Sequence, residues 1–277
     1  MATNSVNTNV SSMVALQAFN RTTDLLNVVQ KRVSTGYRVA DAKDDGGAFA
    51  VAQAVRSDVA GLTAANEQLG GTKGVLETTF AALSKLSDTM IKVREALTRL
   101  ADGTINDSQR AQYEAQYTQL KTQIENFVAD ATYNGRTLLS TESTAGGGDI
   151  TMTRNETGGT FTIAALDGAT DLVVTSAPTS AADAQAALEA AGDFKTVEGQ
   201  IADALNQFGA DSNYIDSQIK YNKDKVDSLE GGLGALIDTD LAKESAKLQA
   251  LQIRQQLGSQ ALSISNQSPA MLLSLFR

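Results

Sequence analysis

Apolar residues recur at helical spacing over most of the chain. Residues 5–33 place Val6, Val10, Met13, Leu16, Leu25, Val28 and Val29 three or four residues apart or at multiples of those steps. That spacing predicts an amphipathic helix about 40 Å long at 1.5 Å per residue. "STGYRVADAKDDGGA" breaks it with Gly36 and Gly46-Gly47, which reads as a loop or short extended connector. A long helix is expected from about Phe49 to Leu100, weakened by Gly61, Gly70, Gly71 and Gly74, each costing about 1 kcal/mol relative to Ala. "ADGTINDSQ" is a turn, with Gly103 as a stop signal and Asn106 or Asp107 as the next cap. Residues 108–131 form a third helix with Tyr113, Tyr117, Leu120, Ile124, Phe127 and Val128 on one face. It closes at "YNGRTLL".

Beyond residue 140 the period changes to two. Ile150/Met152, Phe161/Ile163 and Leu172/Val174 alternate with polar residues, and Gly158-Gly159 and Gly168 supply turns. Two or three short strands in a hairpin region are expected at about 140–178. Helical periodicity returns near Ala181, breaks near Gly192 and runs through Leu205, Phe208, Ile215, Ile219 and Leu229 to "EGGLGALIDTD". A last helix covers roughly Leu241 to Leu275. The outline is mainly α: an elongated helical bundle with paired terminal coiled-coil helices and a small β-hairpin region.

The last helix carries two apolar stripes. Ala250, Leu257, Ile264 and Met271 recur every seven residues, with Ile253 between them and Leu275 four beyond Met271. Leu241, Leu248, Leu251, Leu262 and Leu272 form the second stripe. One partner helix covers only one stripe, so this helix calls for neighbours on two sides. The chain ends on "AMLLSLFR", and no charge separates Arg254 from Arg277. The first twenty residues are also uncharged. An intramolecular coiled coil in an ordinary α-protein is one reading. The other is a polymerising subunit whose two ends join a multi-subunit core, with Leu272, Leu275 and Phe276 on protein and Gln260 and Asn266 toward a lumen.

Composition narrows the chemistry. Hydrophobic residues make up 42% but aromatics only 5%, and Trp is absent, which suits thin helix–helix seams. With no His and no Cys, disulfides, thiol chemistry, Cys-based zinc sites and Ser-His-Asp catalysis are all excluded. Catalysis by carboxylates or Lys stays open in principle; a carboxylate-based hydrolase is the remote enzymatic alternative, and no paired-acid cleft is apparent. The net charge of −9 speaks against nucleic-acid binding. The acid is concentrated in residues 34–241, since both ends are mildly basic. No stretch of about 18 uninterrupted apolar residues predicts membrane insertion, and the N-terminus lacks the basic and apolar regions of a secretory signal. The expectation is a chain that stays inside or leaves by a route that reads no such signal.

"GGTKG" at 70–74 and "GGLG" at 231–234 lack the context of a phosphate loop. Asp44-Asp45 and Asp238/Asp240 read as solvated or helix-capping carboxylates. No cofactor or metal site is expected.

Several motifs carry a family resemblance. "STGYRVADAKDD" followed by "AVRSDVAGLTAANEQ" resembles the N-terminal signature of bacterial flagellins. "IKVREALTRL" at 91–100, "YNGRTLL" at 133–139 and "DTDLAKESAKLQALQIRQQLGSQALSISNQSPAMLLSLFR" resemble further flagellin segments in the expected order. The resemblance covers roughly residues 2–140 and 195–277 and is nearest in style to alphaproteobacterial forms. It implies an extracellular structural subunit that self-associates into the flagellar filament, with a hook–filament junction protein of related termini as the alternative.

The same resemblance implies an inner coiled-coil domain made from residues 1–40 and 236–277, and an outer domain at 41–235 with no separate surface domain. Filament core packing would fall to Val6, Val10, Met13, Leu16, Leu25, Val28, Leu248, Leu251, Ile253, Leu257, Ile264, Met271, Leu272, Leu275 and Phe276. Implied partners are other copies, the flagellum's own type III export apparatus and its chaperone, and hook-junction and cap proteins.

Flagellins sensed by an innate immune receptor carry Arg-Val-Arg-Glu-Leu where this chain has Lys92, Val93, Arg94, Glu95 and Ala96. A facing glutamate is replaced by Gln116. Lys lacks the planar fork of Arg, and Ala is about three carbons short of Leu, so this segment departs from the recognised pattern. Outer Ser/Thr residues of many flagellins are O-glycosylated, which makes Thr151, Thr153, Thr157 and Thr160 candidates.

Overall fold

The computed structural model describes residues 8–143, 146–189 and 191–274, with side chains to residue 267. Among these, seven helices and one two-stranded sheet follow in the order α1 (Val10–Thr35), α2 (Gly46–Leu100), α3 (Asp107–Asp130), β1 (Ile150–Thr153), β2 (Thr160–Ile163), α4 (Gly168–Asp171), α5 (Ala181–Leu188), α6 (Asp193–Ile237) and α7 (Leu241–Ser274). The chain forms two compact units. One comprises residues 1–57 and 228–277, the other Asp58–Asp227.

The 58–227 unit has a closed apolar core. In α2 the residues Leu62, Leu69, Leu76, Leu83, Met90 and Leu97 recur every seven positions and are all buried, as a helix seam requires. Thr72 and Thr79 share that buried face, and their hydroxyls donate to the carbonyls of Gln68 and Val75 four residues back, which satisfies them internally. α6 answers with Phe194, Val197, Ile201, Ala204, Phe208 and Ile215. The pairs Lys73–Asp216 (2.6 Å) and Asn66–Asn222 (2.9 Å), with the Arg94–Glu198 ion pair, fix the two helices as antiparallel. α3 starts on a capping box of Asn106 and Gln109, and it buries Tyr117 and Ile124 against the same core.

The hairpin pairs Ile150 with Ile163 and Met152 with Phe161 on the face that meets the core. The expected third strand at Leu172/Val174 does not form. Leu172, Val173 and Val174 instead follow the short α4 as an irregular segment whose side chains are buried. Their apolar run reflects burial on all sides rather than a pleated two-faced surface, and periodicity alone does not separate these cases.

The glycines of α2 do not interrupt it. At Gly74 an added Cβ would stand 2.7 Å from the Tyr133 ring, and at Gly61 it would stand 3.1 Å from Glu156. At these two places glycine lets a neighbouring segment lie against the helix backbone.

In the other unit α1 and α7 run antiparallel with their backbones close together. Contacts advance along one helix as they retreat along the other: Asn9 with Ser265, Phe19 with Gly258, Thr23 with Gln255, Arg32 with Glu244. α1 begins on Asn9, whose side chain accepts from the Ser12 amide, and ends on Gly36, in the left-handed region at φ 75°. Past that cap the connector zips to the chain between α6 and α7. Arg38 and Val39 amides donate to the Ile237 carbonyl, and the Thr239 amide donates to the Gly36 carbonyl. A small cluster of Val39, Ala52 and Ile237 closes this end.

Candidate interaction surface

The two stripes of α7 have separate fates. The side facing α1 is Glu244, Leu248, Leu251, Gln255, Gly258, Leu262 and Ser265, alternating by four and three, all buried or half-buried. Its counterpart on α1 is Ser12, Ala15, Phe19, Thr22, Leu26, Val29 and Val33. Half of these side chains are small or polar, and Gly258, Ser265, Ser12 and Ala15 leave room for the close backbone approach. Leu248 and Leu251, expected in core packing, therefore pack within the chain, as does Leu262.

The other stripe faces away. Ile253 and Leu257 are each 58% exposed and Ile264 70%. On α1, Val10, Met13, Leu16, Leu25 and Val28 are exposed as well, and Val14 joins them. Val6, Leu275 and Phe276 lie outside the described residues, and the side chains of Met271 and Leu272 lie outside them too. Gln260 and Asn266 are exposed, and Asn266 accepts a 2.6 Å hydrogen bond from the Ser12 hydroxyl.

Charge is confined to one end of the pair. Glu244 is buried, with Arg32 at 3.9 Å and Lys247 at 2.6 Å. Lys31 reaches Asp41 (2.7 Å) and Asp44 (2.8 Å) in the following connector. The Lys31 ammonium holds both carboxyls below the usual carboxylate range, helped by the backbone amides of Lys43 at Asp41 and of Ala40 at Asp44. Their hydrogen bonds raise Lys31 in turn. Asp45 and Asp240 accept from the first amides of α2 and α7, so both serve as helix caps. Among the described residues no group of three or more acidic side chains is placed to hold a metal ion, and no helix is long and apolar enough to cross a membrane.

The 92–96 segment lies on α2 in the other unit. Val93 and Ala96 are buried, so only Lys92, Arg94 and Glu95 reach solvent. Arg94 pairs with Glu198 and stands 5.3 Å over the Phe194 ring, and Glu95 pairs with Arg99. Gln116 is exposed on α3. At the hairpin, Thr151, Thr157 and Thr160 are exposed and Thr153 is half-buried. The Thr151 hydroxyl lies 2.8 Å from that of Thr162 across the strands, and the Thr157 hydroxyl donates to Asn155.

Hydrophobic periodicity therefore finds both stripes of α7 but not their assignment. The signal for the assignment is the small and polar content of one stripe, Gly258 and Ser265 above all.

Comparison with known proteins bears on what such a surface serves. A family model for the bacterial flagellin N-terminal helical region matches residues 6–144, and one for the bacterial flagellin C-terminal helical region matches residues 195–276. The chain is 35% identical to the flagellin FljK of Caulobacter vibrioides over 100% of both chains. It is 32% identical to a flagellin of Brucella melitensis over 99% of each. Among solved structures it is similar to the Bacillus cereus flagellin, with a TM-score of 0.51, 25% identity, and coverage of 56% of this chain and 88% of that one. It shares its fold with a putative flagellar hook-associated protein from Vibrio parahaemolyticus, with a TM-score of 0.59 at 14% identity over 70% of this chain and 100% of that one.

Proposed function

The chain belongs to the bacterial flagellin family, the self-polymerising subunit of the extracellular flagellar filament, and from this premise we propose that the outward faces of α1 and α7 are the surfaces neighbouring copies cover. One observation carries the reading. After α1 and α7 have paired, a second apolar stripe of α7 still faces solvent, led by Leu257 and Ile264. Completing the burial of Ile253, Leu257 and Ile264 would contribute about 3–5 kcal/mol per copy at the usual yield for aliphatic side chains. A second copy suits that surface because the stripe is uncharged from Gln255 to Gln267, so copies stacked on one another meet no like-charge repulsion there.

The other family-derived roles belong to the same proposal. Residues 1–40 and 236–277 form the inner domain of the assembled subunit and 41–235 the outer one. The flagellar export apparatus and its chaperone deliver the chain, and hook-junction and cap proteins bound the filament. The family is structural, and the chain's work is assembly rather than catalysis. With Lys92, Ala96 and Gln116 in place of the recognised residues, and Ala96 buried, the 92–96 segment presents an altered surface to the innate receptor. Thr151, Thr157 and Thr160 are the glycan acceptors most open to solvent, with Thr153 less so; an intact mass of native filaments equal to the bare sequence would refute modification. Deleting residues 260–277 tests the main reading. The truncated protein is expected to stay soluble with its 58–227 unit folded and to form no filaments on seeding. Normal filaments from it would overturn the proposal.

A further inference from the structure

α7 offers α1 a choice of two comparably apolar faces, and hydrophobicity alone does not decide between them. Ile253, Leu257 and Ile264 on one face match Leu248, Leu251 and Leu262 on the other, which also carries Glu244, Gln255, Gly258 and Ser265, and it is this mixed face that meets α1. Were α7 turned about its axis to pack the outward stripe on α1, the chain would cover its own interaction surface. Something in the seam has to reject that packing.

We propose that Phe19 seated on Gly258 selects the face of α7 that meets α1, and thereby keeps the outward stripe free. The idea rests on the assembly reading for its consequence, while the contact itself is intramolecular. Phe19 is half-buried at the middle of the seam. A Cβ at position 258 would stand 3.3 Å from its Cδ2 and 4.0 Å from its Cβ, a separation at which a methyl group already presses on the ring. Every other position of α7 between Leu241 and Gln267 carries at least a methyl group, so only this face provides a seat for an aromatic ring at that close backbone distance.

The polar contacts of the seam point the same way. Asn9 donates to the Ser265 carbonyl at 2.8 Å, Ser12 donates to Asn266 at 2.6 Å, and Gln255 donates to Thr23 at 3.4 Å. At one end Glu244 is buried facing Arg32 at 3.9 Å. Turning α7 by one residue's rotation of about 100° withdraws each of these groups from its partner, whereas the aliphatic stripe gains no polar partner. Glycine at 258 lowers the intrinsic stability of the helix, a cost consistent with selection rather than with strength.

The absence of cysteine allows a direct test on the full-length chain, before and after seeded polymerisation. Ser12→Cys with Asn266→Cys reports the native face by disulfide formation, and Ser12→Cys with Ile264→Cys reports the turned face. In the otherwise unchanged chain the first pair is expected to close at least tenfold faster than the second. Gly258→Leu should reverse that preference and abolish filaments. Phe19→Ala added to Gly258→Leu moves the bulk to the other helix and should restore both the native disulfide and the filaments. If Gly258→Leu leaves the native pair dominant, or if the added Phe19→Ala does not restore it, the proposal is wrong. A chain that keeps the native disulfide preference yet builds filaments with Leu257 and Ile264 made polar would instead sink the assembly reading and leave the face selection standing.

Discussion

The two units handle their large apolar side chains in opposite ways. In the 58–227 unit, Leu62, Leu69, Leu76, Leu83, Phe194 and Phe208 are fully buried within the chain, and the exposed large apolar side chains, Phe80, Ile91, Tyr133 and Tyr221, form no aliphatic stripe. In the other unit, Val10, Met13, Leu16, Leu25, Ile253, Leu257 and Ile264 remain exposed, while the buried seam is built partly of Ser, Thr, Gln and Gly. The first pattern is that of a core complete in one copy. The second is that of a core finished by other copies, in keeping with a family whose members polymerise. Hydrophobicity thus marks two kinds of burial, and only neighbouring small and polar residues tell them apart.

Breaking the second pattern should have the largest effect. Leu257→Ser with Ile264→Ser alters side chains that face solvent in the free chain, so thermal unfolding of the 58–227 unit should stay within about 0.5 kcal/mol of the parent. Seeded polymerisation followed by sedimentation should yield no filaments. Wild-type filament yield would remove the distinction between the two units.

Phe208→Ala strikes the first pattern. Phe208 is fully buried in the α2–α6 seam, and truncating such a ring costs about 3–5 kcal/mol through lost transfer energy and the cavity left behind. Urea unfolding of the free chain should show that loss. A cost below about 1 kcal/mol would mean that this core is not closed.

The glycines of α2 give the smallest and finest test. At Gly70 nothing lies within 4 Å of an added Cβ, so Gly70→Ala should stabilise the helix by about 1 kcal/mol. At Gly74 the added Cβ meets the Tyr133 ring at 2.7 Å, so Gly74→Ala should forfeit that gain or destabilise. Equal gains at both sites would show that Tyr133 does not pack against α2 there.

Much of this was legible in the sequence. The helix order, the turn at Asn106, the hairpin at Ile150–Ile163 and the two stripes of α7 follow from periodicity and turn chemistry. Of the two or three strands expected, two form; Leu172/Val174 does not make another, because an apolar run buried on all sides imitates a strand. The seven-residue series from Leu62 to Leu97 is in the sequence, but Gly61, Gly70, Gly71 and Gly74 obscure it by suggesting breaks; at two of these the structure supplies a packing reason. Which α7 stripe meets α1 was not legible from hydrophobicity, since Ile253, Leu257 and Ile264 match Leu248, Leu251 and Leu262 in apolar content. That choice depends on how closely two backbones can approach, a property of Gly258 and Phe19 taken together.

The central claim is that the outward stripe of α7 is covered only by other copies. A single Leu257→Cys substitution in this cysteine-free chain makes it measurable through maleimide labelling of free subunits and of filaments assembled from them. Rapid labelling of the free subunit with strong protection in the filament is the predicted result, and equal labelling of both would contradict the account.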